Sequence, residues 1–350
     1  MKLSVIVPVY NQEKHVAKCL SSLLEQGLSE DDYEVIVVDD ASTDKSLDIC
    51  ESYANTHGIN IKIIHKAKNQ GVECARWTGY QASRGVFITY VDSDDWLKKG
   101  ILLKMVNKIE ETGCDYVECG FVRSMGRHFK FNKIVKPALT GLIKMPELWD
   151  KYYISFFGVN ILSVNMWGKV YRKSTLEKAK LEPLGLTMGE DLAYNLRLFP
   201  YLQKIYIMDE VGYNYRWGGM TSKYNPHLYP DLKRLYRLKS DIAKRNNYTK
   251  AFDYLKIELK NVFYSDIMQQ IEYKAGDEEE IKASISNELS DEIWEDALKV
   301  ENHPSFYQQE SVKALQKRDV DNIYKICLVA CKQKRGLKRM KSFANFVLNL

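Results

Sequence analysis

Three carboxylates, Asp92, Asp94 and Asp95, fall within four positions of the run YVDSDDW (90–96), directly after the apolar stretch VFITYV. Acidic groups at the end of a buried strand repel one another and are costly to desolvate. They are retained where they hold a cation or a ligand, or where one of them caps a helix. Asp92 and Asp94 are two apart, so in extended geometry they face the same side, and Ser93 between them is small enough not to crowd a ligand. A second acidic pair, Glu190-Asp191, follows Gly189 and opens the amphipathic run LAYNLRLF. The start of a helix favours ionised carboxylates, so this pair offers a general base or an ordinary acidic first turn.

These residues must be positioned by regular elements. LSVIVPV (3–9), YEVIVVDD (33–40), INIKIIH (59–65) and VFITYVD (86–92) are apolar runs of strand length. Helical spacing separates them over 13–27, from the Ser42-Thr43-Asp44 cap to about 57, and over 72–84. A further helix is expected near 98–111, before CDYVECGF (114–121). Buried strands alternating with helices predict a doubly wound α/β domain with a mostly parallel sheet. Ligands of such sheets bind at the carboxyl ends of the strands. Four polar clusters sit at those ends: PVYN (8–11), DDAST (39–43), KNQG (68–71) and DSDD (92–95). No G-x-x-x-x-G-K-[ST] or G-x-G-x-x-G cradle is present, which sets aside P-loop and dinucleotide readings; a site without one can still bind a diphosphate through a divalent cation between carboxylate and phosphate oxygens.

The chain has 350 residues, 45% apolar, with a net charge of +5. Residues 332–350 carry six Lys and Arg and no acid, leaving 45 basic against 46 acidic residues elsewhere. A near-neutral body argues against a nucleic-acid-binding face. Seven scattered cysteines without CxxC do not form a disulfide or zinc framework. The amino terminus reads as a strand and not a signal peptide, and no apolar run reaches the ~20 residues of a membrane span, so a cytoplasmic protein is expected.

The segments SVIVPVYNQEKHVAKCLSSLLEQ, EVIVVDDASTDKS, NQGVECARWTGYQASRGVFITYVDSDDW and GED, in that order, resemble the inverting, nucleotide-sugar-dependent glycosyltransferases of family 2, over about residues 1–220. The resemblance implies an A-type glycosyltransferase fold and a UDP-sugar donor. It implies a Mn²⁺ or Mg²⁺ cofactor and a glycan or lipid-linked acceptor in cell-surface polysaccharide synthesis. By the same resemblance Pro8, Val9 and Tyr10 line the base pocket, and Asp39 accepts from the uracil imide N–H. Asn69, Gly71 and Arg76 close over the nucleotide, although an Arg on a helix also pairs readily with Glu73 at the surface. Asp92 faces the ribose or the metal, Asp94 ligates the metal, and Asp95 caps a helix or supports the other two. Asp191 is the base, and Glu190 orients it or binds the acceptor.

WGKVYRKSTL (167–176) is common in that family, and Trp167 either floors the acceptor site or packs in the core. YNYRWGGMTSKY (213–224) suits a lid through Arg216, Ser222 and Lys223, and His227 is the nearest histidine for a third metal ligand.

Residues 1–225 are therefore read as the catalytic domain, with 1–120 the nucleotide-binding half and 121–225 the acceptor-binding half. Residues 226–350 form a helical accessory region, suited to oligomerisation or acceptor placement. Its tail sets Leu337, Met340, Phe343, Ala344, Val347 and Leu348 at helical spacing beside the basic residues. That pattern suits either packing or peripheral contact with an anionic inner-membrane surface. The alternatives are a non-catalytic nucleotide-sugar-binding protein, which need not keep GED, and an aspartate-dependent phosphatase. Phosphatases place D-x-D at the first strand, whereas here it follows the fourth.

Overall fold

The computed structural model describes residues 1–57, 60–125, 131–158, 161–216, 226–298 and 309–347. The chain divides into two compact units, residues 1–222 and 223–350.

The first unit opens as β1 (Leu3–Val9), α1 (Val16–Leu24), β2 (Tyr33–Asp39), α2 (Ser46–Thr56), β3 (Asn60–His65), α3 (Val72–Ala82) and β4 (Phe87–Tyr90). Every residue of β1, β2 and β4 is buried, as continuous apolar strands between helical layers require. These strands pair in parallel in the order β3-β2-β1-β4. Register brings their ends level: Val9 lies beside Asp39 and Asp39 beside His65, while the Val91 amide donates to the Ile6 carbonyl. The polar residues that follow each strand therefore gather at one edge, around the reversal of strand order between β1 and β4.

The unit continues through β5 (Trp96–Leu97), α4 (Ile101–Thr112), β6 (Tyr116–Met125), β7 (Phe131–Val135), β8 (Gly141–Lys144), β9 (Lys169–Arg172), α5 (Lys173–Ala179), α6 (Glu190–Leu198) and β10 (Lys204–Arg216). The sheet extends as β4-β9-β6-β10-β5. β9 is antiparallel to both β4 and β6, and β10 is parallel to β6 but antiparallel to β5. The parallel character is thus concentrated in the first four strands, and the later half of the sheet is mixed.

Helix α2 begins at Ser46, later than a cap at Ser42 or Thr43 predicts, and of the three only Asp44 meets its start, Oδ1 accepting from the Ser46 amide at 2.9 Å. Ser42 Oγ accepts from the Asn11 amide at 3.1 Å, and Asp44 Oδ2 accepts from the Glu13 amide at 3.1 Å. The turn after β2 is thereby tied to the turn after β1.

The second unit is helical: α7 (Leu228–Arg245), α8 (Ala251–Tyr273), α9 (Glu278–Leu289), α10 (Ile293–Ala297), α11 (Gln309–Gln316) and α12 (Val320–Val347). It has its own core around Trp294, Phe263, Ile281 and Ile323. Asp277 and Glu280 form a reciprocal capping box at α9. No described helix is long and apolar enough to cross a membrane. The tail's basic and apolar residues lie on α12 up to Val347; Leu348 and the side chains from 334 onward lie outside the described residues.

Candidate active site

Asp39, the last residue of β2, is fully buried. Its Oδ2 accepts from the Ser42 amide at 3.2 Å and faces His65 Nδ1 at 2.8 Å, while Oδ1 is buried without a hydrogen-bond partner. Burying such an oxygen without a donor costs about 1–3 kcal/mol, so the atom is poised for a donor from a ligand. Val9 is buried beside it, and Tyr10, 45% exposed, leaves its ring free to stack.

Asp40 organises the neighbouring turn. It accepts from the Gln70 and Gly71 amides, the latter at 2.7 Å, and from Lys66 Nζ at 2.6 Å. Asn69 Oδ1 also accepts from Gly71 N, at 3.1 Å. Gly71 has φ +88°, a conformation that glycine adopts without the Cβ penalty.

Arg76 is the hub. The residue is 4% exposed, and its guanidinium donates from Nη1 to Asp191 Oδ1 at 2.7 Å and from Nη2 to Asp92 Oδ1 at 2.8 Å; Glu190 Oε1 lies 3.5 Å from Nη1. The alternative pairing with Glu73 is not formed. Glu73 instead accepts from the backbone amides of Leu184, Gly185 and Leu186. α3 turns Arg76 inward, toward carboxylates that follow β4 and open α6.

The three acids after β4 separate by environment. Asp92 keeps its carboxylate on Arg76, and Asp94 Oδ2 accepts from Arg216 Nη2 at 2.6 Å. Asp95 is buried and caps no helix: Oδ1 accepts from the Arg216 amide and Oδ2 from the Tyr213 hydroxyl, both at 2.7 Å. That hydroxyl accepts in turn from the Asp92 amide at 3.2 Å. Asp95 thus ties the acidic turn to β10. Burial and the charge of Asp92 raise the pKa of Asp94 against the pull of Arg216, and burial raises that of Asp95. Ser93 is buried between them.

Glu190 and Asp191 form the first turn of α6, after Gly189 at φ +81°. Asp191 Oδ2 accepts from the Met166 amide at 3.1 Å. Burial raises both carboxyls above the ordinary range, Asp191 in spite of Arg76. For Arg76, burial pulls the other way, but Asp191, Asp92 and Glu190 outweigh it and keep the guanidinium charged.

Of the two readings of Trp167, sugar platform or core residue, its surroundings match the second. It is 8% exposed, stacks on Tyr213 at 4.5 Å and on Tyr215 at 5.3 Å, and meets the Phe121 ring edge-on at 5.0 Å. It packs in the core and braces Tyr213, hence Asp95. Ser222 and Lys223 lie outside the described residues, and His227 precedes α7 in the second unit.

The residues that sequence reasoning missed are His65, Asp40 and Tyr213. The second aspartate of DD and the histidine closing IKIIH were visible signals; the Tyr213 contact, 118 residues from Asp95, was not.

Among the described residues no group of three or more His, Cys, Asp or Glu could hold a metal ion. Asp92 and Asp94 nevertheless suit Mg²⁺ or Mn²⁺. Such ions take hard oxygen donors, and Mg²⁺ typically binds through one or two carboxylates with phosphate and water completing its shell.

The glycosyl transferase family 2 model matches residues 4–178. The chain is 32% identical over 252 residues to the uncharacterized glycosyltransferase EpsJ of Bacillus subtilis, covering 70% of each chain. It is 29% identical over 242 residues to the poly(ribitol-phosphate) beta-N-acetylglucosaminyltransferase TarS of Staphylococcus aureus, covering 67% of this chain and 40% of that relative. The solved structure of S. aureus TarS 1–349 in complex with UDP-GlcNAc shares the fold, with a TM-score of 0.66 at 22% identity, over 95% of this chain and 92% of that one.

Proposed function

Because the chain belongs to glycosyl transferase family 2 and is a glycosyltransferase, we propose that it moves a sugar from a UDP-sugar to a hydroxyl of a glycan or lipid-linked acceptor in one inverting displacement. Residues 1–120 would bind the donor and 121–225 the acceptor. A relative that by name acts on poly(ribitol-phosphate) supports a role in cell-surface polymer synthesis. The six basic residues at 332–350 support contact with an anionic inner-membrane face, where a lipid-linked acceptor lies.

The buried, unpartnered Oδ1 of Asp39 carries the donor assignment. An imide N–H of uracil would satisfy it, with Tyr10 stacked on the base and Pro8 and Val9 lining the pocket. Asn69 and Gly71 close the same edge. Asp94 and Asp92 would hold a divalent cation, which when bound supplies positive charge to the diphosphate oxygens. Asp191 takes the proton of the attacking hydroxyl, and Glu190 beside it orients the acceptor. Arg76 keeps both carboxyls in place and shields the diphosphate side from their charge. Arg216 neutralises Asp94 when no donor is bound and would turn to phosphate oxygens when one is.

The test follows from the base. Cytosine carries no proton at N3, so it cannot donate to Asp39. UDP with Mg²⁺ at 100 times its dissociation constant should stabilise the protein by ~2.7 kcal/mol, seen as a rise in Tm, whereas CDP should give far less. Equal shifts with UDP and CDP would remove Asp39 from base recognition.

A further inference from the structure

Behind the base lies a cavity that the mechanism above leaves without a role. It encloses about 310 Å³ and is lined by Glu118, Phe121, Ala138, Ile161, Ser163 and Asn165, among others. Glu118 is 6% exposed, and its Oε2 is buried without a hydrogen-bond partner, 3.7 Å from the ammonium of the fully buried Lys169. That ammonium is spent elsewhere, donating to the carbonyls of Ser163 at 2.8 Å and Asn165 at 2.6 Å. A carboxylate oxygen removed from water with no donor is costly, and a hydroxyl from a ligand would relieve the cost.

The cavity also adjoins the base through one short strap. Lys169 pins residues 163–165, and the next amide, Met166, donates to Asp191 Oδ2. Asn195 Nδ2 spans the same join, donating to the carbonyls of Asn165 at 3.3 Å and Asp191 at 2.9 Å. The lining also includes the apolar residues Val135, Ala138, Leu139 and Ile161. A carboxylate among aliphatic lining residues matches a pyranose or polyol, which presents hydroxyls on its rim and C–H groups on its faces.

The geometry points to this cavity as a subsite for the acceptor: Glu118 accepts a non-reacting hydroxyl of the acceptor sugar, and the aliphatic lining packs on its C–H face. The assignment of the ligand as acceptor rests on the glycosyltransferase reading; the binding of a hydroxylated ligand does not.

The experiment is saturation-transfer difference NMR on the full chain with UDP and Mg²⁺ present. The probes are the methyl glycosides of glucose, galactose and N-acetylglucosamine, together with sorbitol. At least one probe should give a signal on the wild type and lose it in Ala138→Trp, which fills the cavity from an exposed rim position. Glu118→Gln should weaken that probe about tenfold, the factor for one lost charge-assisted hydrogen bond. The UDP-induced Tm rise, retained in both variants, reports that they fold. Absence of signal from all four probes, or a signal unchanged in Ala138→Trp, overturns the subsite. A probe signal with no UDP shift in the wild type would overturn the donor assignment instead and leave the cavity as a polyol site.

Discussion

One guanidinium, that of Arg76, holds carboxylates delivered by two other parts of the chain: Asp92 after β4, and Glu190 and Asp191 on α6. Removing one partner of a buried ionic cluster strands the others, at about 3–5 kcal/mol. Arg76→Ala should therefore destabilise the protein by that order near pH 8. The loss should be pH-dependent in a defined direction. Burial raises the folded-state pKa of Glu190 and Asp191 above the ordinary carboxylate range. Groups raised in this way contribute stability below the unfolded pKa, and it is lost as pH rises through the folded value. Without Arg76 the upward shift grows, so the Tm gap between wild type and Arg76→Ala should be smaller at pH 5 than at pH 8. An equal gap at both would show that the carboxylates do not depend on Arg76.

At the scale of elements, the site is accurate because α3 lies directly on β1. A Cβ added at Gly79 would sit 2.4 Å from Ile6 Cγ2, so this helix approaches as closely as a glycine allows. Arg76 lies three residues earlier on the same helix, and its depth is set by that contact. Gly79→Ala should cost about 1–3 kcal/mol in urea unfolding, the range for overpacking a dense core. It should also weaken turnover by lifting Arg76 from Asp92 and Asp191. A variant as stable as wild type would show that α3 has slack against the sheet. The first four strands were legible because each is apolar throughout and ends in a polar cluster, a pattern that buried parallel strands impose. The later half was not. The β9 and β10 pairings bridge long stretches of irregular sequence, and nothing local in KVYR or in the 13-residue β10 announces an antiparallel neighbour. Trp167 shows the same limit. Its residue type suits a sugar platform, but its stacking partners Tyr213 and Tyr215 lie more than 40 residues away and decide its burial.

Across the whole molecule, the family and the fold of the first unit were readable from ordered motifs. Which carboxylate meets which cation was not, because Arg76 to Asp191 and Arg216 to Asp94 each span more than 100 residues. The second unit was legible as helices from its periodicity, while the capping box at α9 and the core around Trp294 were not, because both depend on contacts that the pattern does not announce. In the proposed mechanism donor binding and proton removal fall to separate groups, Asp39 with the acidic turn for the first and Asp191 for the second. It is tested most directly by comparing wild type and Asp191→Asn for two quantities, UDP binding and the rate of UDP release from a UDP-sugar in the presence of acceptor. Unchanged UDP affinity is expected, with a rate lower by roughly 10²–10⁴, the usual contribution of a general base. Undiminished release, or loss of UDP binding along with turnover, would contradict it.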